Sequence, residues 1–99
     1  PASAAHIAAD PLEPGFDAAA VARRIQRKRT VLKAALLDQT TVSGIGNIYA
    51  DEALFAAGVH PLAPTRTTRI SRIRAVLRES AAVMRAALAQ GGTSFDALY

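Results

Sequence analysis

The stretch Gly44-Ile45-Gly46-Asn47 sets two glycines and a neutral amide immediately ahead of a helical pattern. A helix start exposes unpaired backbone N–H groups and the positive end of the macrodipole. Glycines just before it remove the side chains that would keep a phosphate away from those groups. Asn47 adds an amide that can donate to a phosphate oxygen and tolerates a cap position. Gly44, Gly46 and Asn47 therefore form a candidate anion cradle, one that would contact backbone phosphates rather than read bases.

A Gly-x-Gly pair before a helix is also a common turn. Two features favour the cradle: a basic stretch just upstream, and Ala50, small enough for the turn to pack closely. Gly44, Gly46 and Ala50 also fit the helix–hairpin–helix pattern, which grips duplex phosphates by the same backbone logic. A plain interaction domain, in which the glycines only turn the chain, remains a third reading.

Charge points the same way without deciding it. Twelve Lys/Arg face eight Asp/Glu, a formal charge of +4. The excess is clustered: Arg23, Arg24, Arg27, Lys28, Arg29 and Lys33 form one run, and Arg66, Arg69, Arg72, Arg74 and Arg78 a second. Such clusters suit a polyanion, most often nucleic acid, and suit a solvated helix face about as well.

The elements that must position these residues are helical. The chain is about half apolar, rich in alanine and poor in aromatics, the size of one domain. Residues 1–15, with three prolines among the first fourteen, read as an extended linker. Asp17 is a good N-cap for a first helix running to about Arg29, with Val21, Ala22 and Ile25 inward and Phe16 stapled to Val21. Thr30 can cap a short second helix carrying Leu32, Ala35, Leu36 and Leu37 and ending near Gln39. A third helix runs from about Asn47 to Ala57, stopped by Gly58 and Pro61.

Thr67 or Thr68 opens the longest helix, which ends at Gln90. Its inward row is Ile70, Ile73, Val76, Leu77, Val83, Met84, Ala87 and Leu88, with Arg74, Arg78 and Arg85 on another stripe. Met84 reads as core filling. The apolar Phe95, Leu98 and Tyr99 suggest a natural chain that continues. The expected fold is all-α, four helices or slightly more.

Several classes are excluded or disfavoured. With no cysteine there are no disulfides and no thiolate-bound zinc. His6 and His60 lie far apart with no ligand spacing around them, so no metal site is expected. No apolar run approaches the roughly 20 residues that span a membrane.

The segment "KAALLDQTTVSGIGNIYADEALFAAGVHP" resembles the helix–two-turn–helix domain of bacterial formamidopyrimidine-DNA glycosylases, enzymes that excise oxidised purines in base-excision repair. "HIAADPLEPGFD" resembles the linker into that domain and "ALAQGGTSFDALY" its exit, so the resemblance covers nearly the whole chain and outweighs the helix–hairpin–helix reading. It implies that Asn47, supported by the Gly46 region, contacts phosphate beside the lesion, and that Lys33 reaches toward the DNA. Glu52, Tyr49 and Arg29 are accessory candidates, Tyr49 chiefly as packing.

The family's nucleophile is an N-terminal proline followed by glutamate. Pro1 here is followed by alanine and serine amid linker-like residues, so it is read as the start of a fragment and no catalytic residue is assigned. The resemblance thus implies the middle domain, residues 16–99, of a glycosylase and abasic-site lyase, inactive by itself. It also implies a catalytic domain and a zinc finger elsewhere, with the zinc held there and no cofactor in the fragment. The implied partner is double-stranded DNA carrying a damaged base or abasic site, bound by a monomer in the bacterial cytoplasm. A non-enzymatic nucleic-acid module is the alternative.

Overall fold

The computed structural model describes residues 8–91. Among these residues four α-helices follow in order: α1 (Ala18–Arg27), α2 (Leu32–Leu37), α3 (Asn47–Ala57) and α4 (Ile70–Ala89), with a 3-10 turn, Thr65–Thr67, ahead of α4. Among the described residues extended pairing is limited to two isolated bridges, Ala9 with Val42 and Val31 with Pro64. The expected all-α class is what the chain adopts. The apolar tail at 95–99 lies outside the described residues.

Local signals set α1 and α3. The Asp17 carboxylate accepts from the Ala20 N–H at 3.0 Å, and Arg24 and Arg27 sit in the last turn of α1, where cations complement the dipole. The helix ends at Arg27, two residues before the expected Arg29, because the Lys28 N–H turns back to the Ile25 carbonyl. Gly58 closes α3 with φ +69, a left-handed conformation suited to glycine. Arg72 then donates from Nη2 to the Gly58 carbonyl at 2.8 Å, placing a cation at the negative end of α3.

The starts of α2 and α4 differ from expectation. Val31, not Thr30, is the N-cap of α2, and no side chain caps it. Its first N–H groups are answered from across the fold: Leu32 donates to the Ala63 carbonyl at 2.9 Å and Lys33 to the Pro61 carbonyl at 3.0 Å. Thr30 is drawn off to Thr65, a buried residue whose hydroxyl accepts from the Thr30 N–H at 3.3 Å and donates to the Lys28 carbonyl at 2.6 Å. Helix α4 starts at Ile70 with Arg69 as N-cap, because the Thr68 hydroxyl is bonded to the Pro64 carbonyl and Thr67 belongs to the 3-10 turn.

Helix α4 is the spine, packing along α3 on one side and α1 on the other, while α2 packs on α3. Ile25, Leu32, Leu36, Ile45, Leu54, Ile73 and Leu77 are fully buried, each side chain contributing roughly 1.5–3 kcal/mol through burial. Ala50 and Ala53 are buried to the last atom on α3, which lets the helix axes approach. The inward row of α4 includes Ser80, whose hydroxyl is satisfied by the Val76 carbonyl at 2.8 Å, and omits Leu88, which is 61% exposed. The core face ends at Ala87, the last buried residue of the helix.

The described part of the supposed linker does not stand off the helices. Residues 8–16 form tight turns (Glu13 N–H to Asp10 carbonyl and Phe16 N–H to Glu13 carbonyl, both 3.0 Å), and Ala9, Leu12 and Phe16 pack against the core.

Candidate phosphate-binding turn

Two consecutive turns join α2 to α3. In the first, the Thr41 N–H returns to the Asp38 carbonyl at 2.9 Å. The Asp38 side chain accepts from the Thr40 hydroxyl at 2.6 Å and the Thr40 N–H at 3.0 Å on one oxygen, and from Lys28 at 3.3 Å on the other. The Thr40 hydroxyl, then its backbone N–H, and more weakly the Lys28 ammonium hold the Asp38 carboxyl down to about 2. The turn is thus organised around a charge that persists through the physiological range.

The second turn carries the glycines, and their roles differ. Gly44 has φ +88, a conformation suited to glycine; a Cβ there would lie 2.9 Å from the Met84 methyl, the far end of a flexible side chain that can shift. Ile45 is fully buried and pins the turn to the core. Gly46 is the N-cap of α3 with an ordinary φ of −93, and a Cβ there would meet nothing within 4 Å. The space in front of Gly46 is open although its backbone does not demand glycine. Met84 fills the core as expected, its methyl lying beneath Gly44.

The cap is therefore Gly46 and Asn47 is the first helical residue. Asn47 is exposed, no side chain caps α3, and no acidic residue lies in its first turn. The first-turn donors and the positive end of the dipole thus keep their capacity for an anion.

Lys33 is brought to the same helix: its ammonium is 2.9 Å from the Asp51 carboxylate, four residues and about 6 Å of helix beyond Asn47. Asp51, which sequence reasoning did not single out, holds Lys33 across the α2–α3 gap and neutralises it. Glu52 is exposed, with Ile48, Tyr49, Val83 and Ala86 lining a cavity of about 230 Å³ between α3 and α4. Tyr49 is buried in the core there. Arg29 is exposed between α1 and α2 and makes no ion pair among the described residues.

Arg74 and Arg78 of the second basic cluster form an exposed stripe with Arg85, Arg78 and Arg85 bordering a groove against Pro11–Phe16 rather than α3. No group of three or more metal-binding side chains exists among the described residues, and no helix among them is long and apolar enough to cross a membrane.

A residue absent from the sequence-based site holds the glycine turn from the α2 side. Gln39 accepts from the Gly44 N–H at 3.0 Å and donates to the Ile45 carbonyl at 3.0 Å. The lead-in braces the same turn from outside, the Ser43 N–H donating to the Ala9 carbonyl at 2.9 Å. A glutamine just past a short helix carries no local signal for such a role; only its reach toward the glycines hints at it.

Comparison with known proteins matches this architecture. The family described as the formamidopyrimidine-DNA glycosylase H2TH domain matches residues 7–97. A formamidopyrimidine-DNA glycosylase of Corynebacterium urealyticum is 64% identical over 99 residues, all of this chain and 34% of that protein. The chain spans about a third of the length of the curated relatives it matches.

Among solved structures, MutM (Fpg) from Thermus thermophilus superposes with a TM-score of 0.80 at 37% identity, covering 88% of this chain and 33% of that one. The Lactococcus lactis enzyme, solved non-covalently bound to DNA containing an AP site, gives 0.81 at 29%, covering 93% and 35%. The two turns between α2 and α3, with the match over residues 7–97, place this chain in the helix–two-turn–helix domain family of the formamidopyrimidine-DNA glycosylases.

Proposed function

We propose that this chain is the DNA-gripping domain of a DNA glycosylase and abasic-site lyase that removes oxidised purines, and that it holds backbone phosphate beside the lesion. The observation that carries the reading is the start of α3: an uncapped helix N-terminus, open space at Gly46, exposed Asn47, and the Lys33 ammonium about one turn away. Each of these favours an anion and none selects a base. Relatives of similar fold support reading that anion as DNA phosphate: the Lactococcus lactis enzyme has been solved with abasic-site DNA and with DNA containing FAPY-dG.

In this reading Asn47 and the Gly46 region bind one phosphate, and Lys33 exchanges Asp51 for another. Glu52 and Tyr49 shape the α3–α4 contact behind the site, and Arg29 adds to the basic approach. The covalent chemistry at the sugar belongs to a proline amine outside this chain, and zinc to cysteines that this chain lacks. The whole enzyme acts on double-stranded DNA as a monomer in the bacterial cytoplasm.

The test is a salt titration of binding to a short duplex with an abasic-site analogue, followed by fluorescence anisotropy. Lys33→Ala is expected to weaken binding and to lower the salt slope by about 1. Asn47→Asp is expected to weaken it through like-charge repulsion. Wild-type curves from both variants would refute the site.

A further inference from the structure

We propose that Gln39 is a positioning residue for the phosphate site, acting by aiming the Gly46 N–H; this rests on the reading of α3 given above. Gln39 is a solvent-exposed side chain on the first of the two turns, yet both ends of its amide are committed to the second. Its oxygen accepts from the Gly44 N–H and its nitrogen donates to the Ile45 carbonyl, each at 3.0 Å, with a longer donation to the Leu37 carbonyl at 3.2 Å. One planar group thus ties the end of α2 to two backbone groups directly ahead of the α3 N-cap.

The consequence follows from peptide geometry. The Ile45 carbonyl and the Gly46 N–H belong to one peptide unit, and no described peptide bond is cis. In a planar trans peptide the C=O and N–H point in opposite directions. A glutamine that draws the Ile45 carbonyl toward itself therefore turns the Gly46 N–H away from itself. Gly46 is the cap residue with open space where a side chain would stand. Without the amide, the 45–46 peptide unit retains only the burial of Ile45 and the hydrogen bonding of α3 to hold its orientation. Gln39 touches no phosphate in this scheme; it fixes a donor that does.

This role differs from a merely stabilising one in what it moves. Gln39→Met keeps the length and neutrality of the side chain and removes all three hydrogen bonds. Gln39→Glu keeps an acceptor for the Gly44 N–H and loses the donor to the Ile45 carbonyl. Gln39→Met changes no charge, so a loss of affinity caused by misaiming leaves its salt slope of binding unchanged, whereas Gln39→Glu adds a negative charge and is read by affinity alone.

The experiment measures binding of an abasic-site-analogue duplex by anisotropy across a salt series, well below each variant's melting midpoint, alongside Asn47→Ala and the double variant with Gln39→Met. Gln39→Met is expected to lose about threefold to tenfold in affinity at every salt concentration with the wild-type slope, and Gln39→Glu more. The loss from Gln39→Met is expected to shrink in the Asn47→Ala background, because both act on one phosphate.

Wild-type affinity for Gln39→Met while Lys33→Ala and Asn47→Asp still weaken binding would overturn the role of Gln39 and leave the site standing. Wild-type affinity for all of them would overturn the site itself. Should Gln39→Met fail to fold, Gln39→Glu decides: wild-type affinity in that variant refutes the aiming role, because its donor to Ile45 is gone.

Discussion

Replacing Gly46 by aspartate moves stability and DNA binding in opposite directions, so misfolding cannot imitate the result. Gly46 occupies the N-cap of α3 in an ordinary extended conformation, with nothing within 4 Å of an added Cβ. Aspartate is a preferred residue at such a position, and its carboxylate would accept from the first-turn N–H groups that no side chain now caps. Relative to glycine the gain is a few tenths to about 1 kcal/mol, cap and dipole together. In a domain of this size that raises the melting midpoint by about 2–6 °C.

The same carboxylate competes for the donors proposed to hold phosphate and adds a like charge beside it. At about 4 Å that repulsion amounts to roughly 1 kcal/mol with the dielectric of water and roughly 4 at an effective value of 20. Even the lower figure weakens binding about fivefold. Thermal unfolding by circular dichroism and anisotropy with an abasic-site duplex read the two quantities. A stabilised variant that binds DNA as tightly as the wild type would refute the placement of phosphate at this helix start.

Gly44→Ala is expected to behave in the reverse sense, losing about 1–2 kcal/mol of stability because an L-residue must adopt positive φ, with the Met84 methyl forced aside; urea unfolding reads the loss. Asp51→Asn is expected to leave stability within about 1 kcal/mol, since its carboxylate is half-exposed, and to tighten DNA binding at low salt by freeing Lys33. Anisotropy reads that gain, and a weakened complex would contradict it.

For Asp38 the folded-state pKa is depressed to about 2 from 3.8, so its contribution to stability is complete above the unfolded value. That contribution is lost as pH falls through the folded value. Asp38→Asn is therefore expected to flatten the stability profile between about pH 4 and pH 2, followed by circular dichroism.

What the sequence made legible was local. Asp17 as cap, Asn47–Ala57 as a helix and Gly58 as its stop are each decided by residues within a turn or two of the position, and the structure has them so. The start of α2 was misread because its donors are answered by Pro61 and Ala63 and because Thr65 takes Thr30 away, partners some thirty residues distant. Leu88 fits the helical period yet faces solvent, since period alone does not say where a neighbouring surface ends.

At the candidate site, the glycines and Asn47 were singled out by type and spacing. Their division of labour did not. Only the folded backbone shows that Gly44 is demanded by its φ while Gly46 leaves space unoccupied. Asp51 and Gln39 were invisible for the same reason as Thr65: each acts on a residue from another element.

The most direct test is an amide-resolved NMR titration of this chain with a short duplex containing an abasic-site analogue. The amides of Gly44 through Ile48 and the Asn47 side-chain amide are expected to shift first and furthest, with Arg74, Arg78 and Arg85 little affected. Shifts confined to that arginine stripe, or spread evenly with the start of α3 unmoved, would contradict the claim that this helix start holds the phosphate.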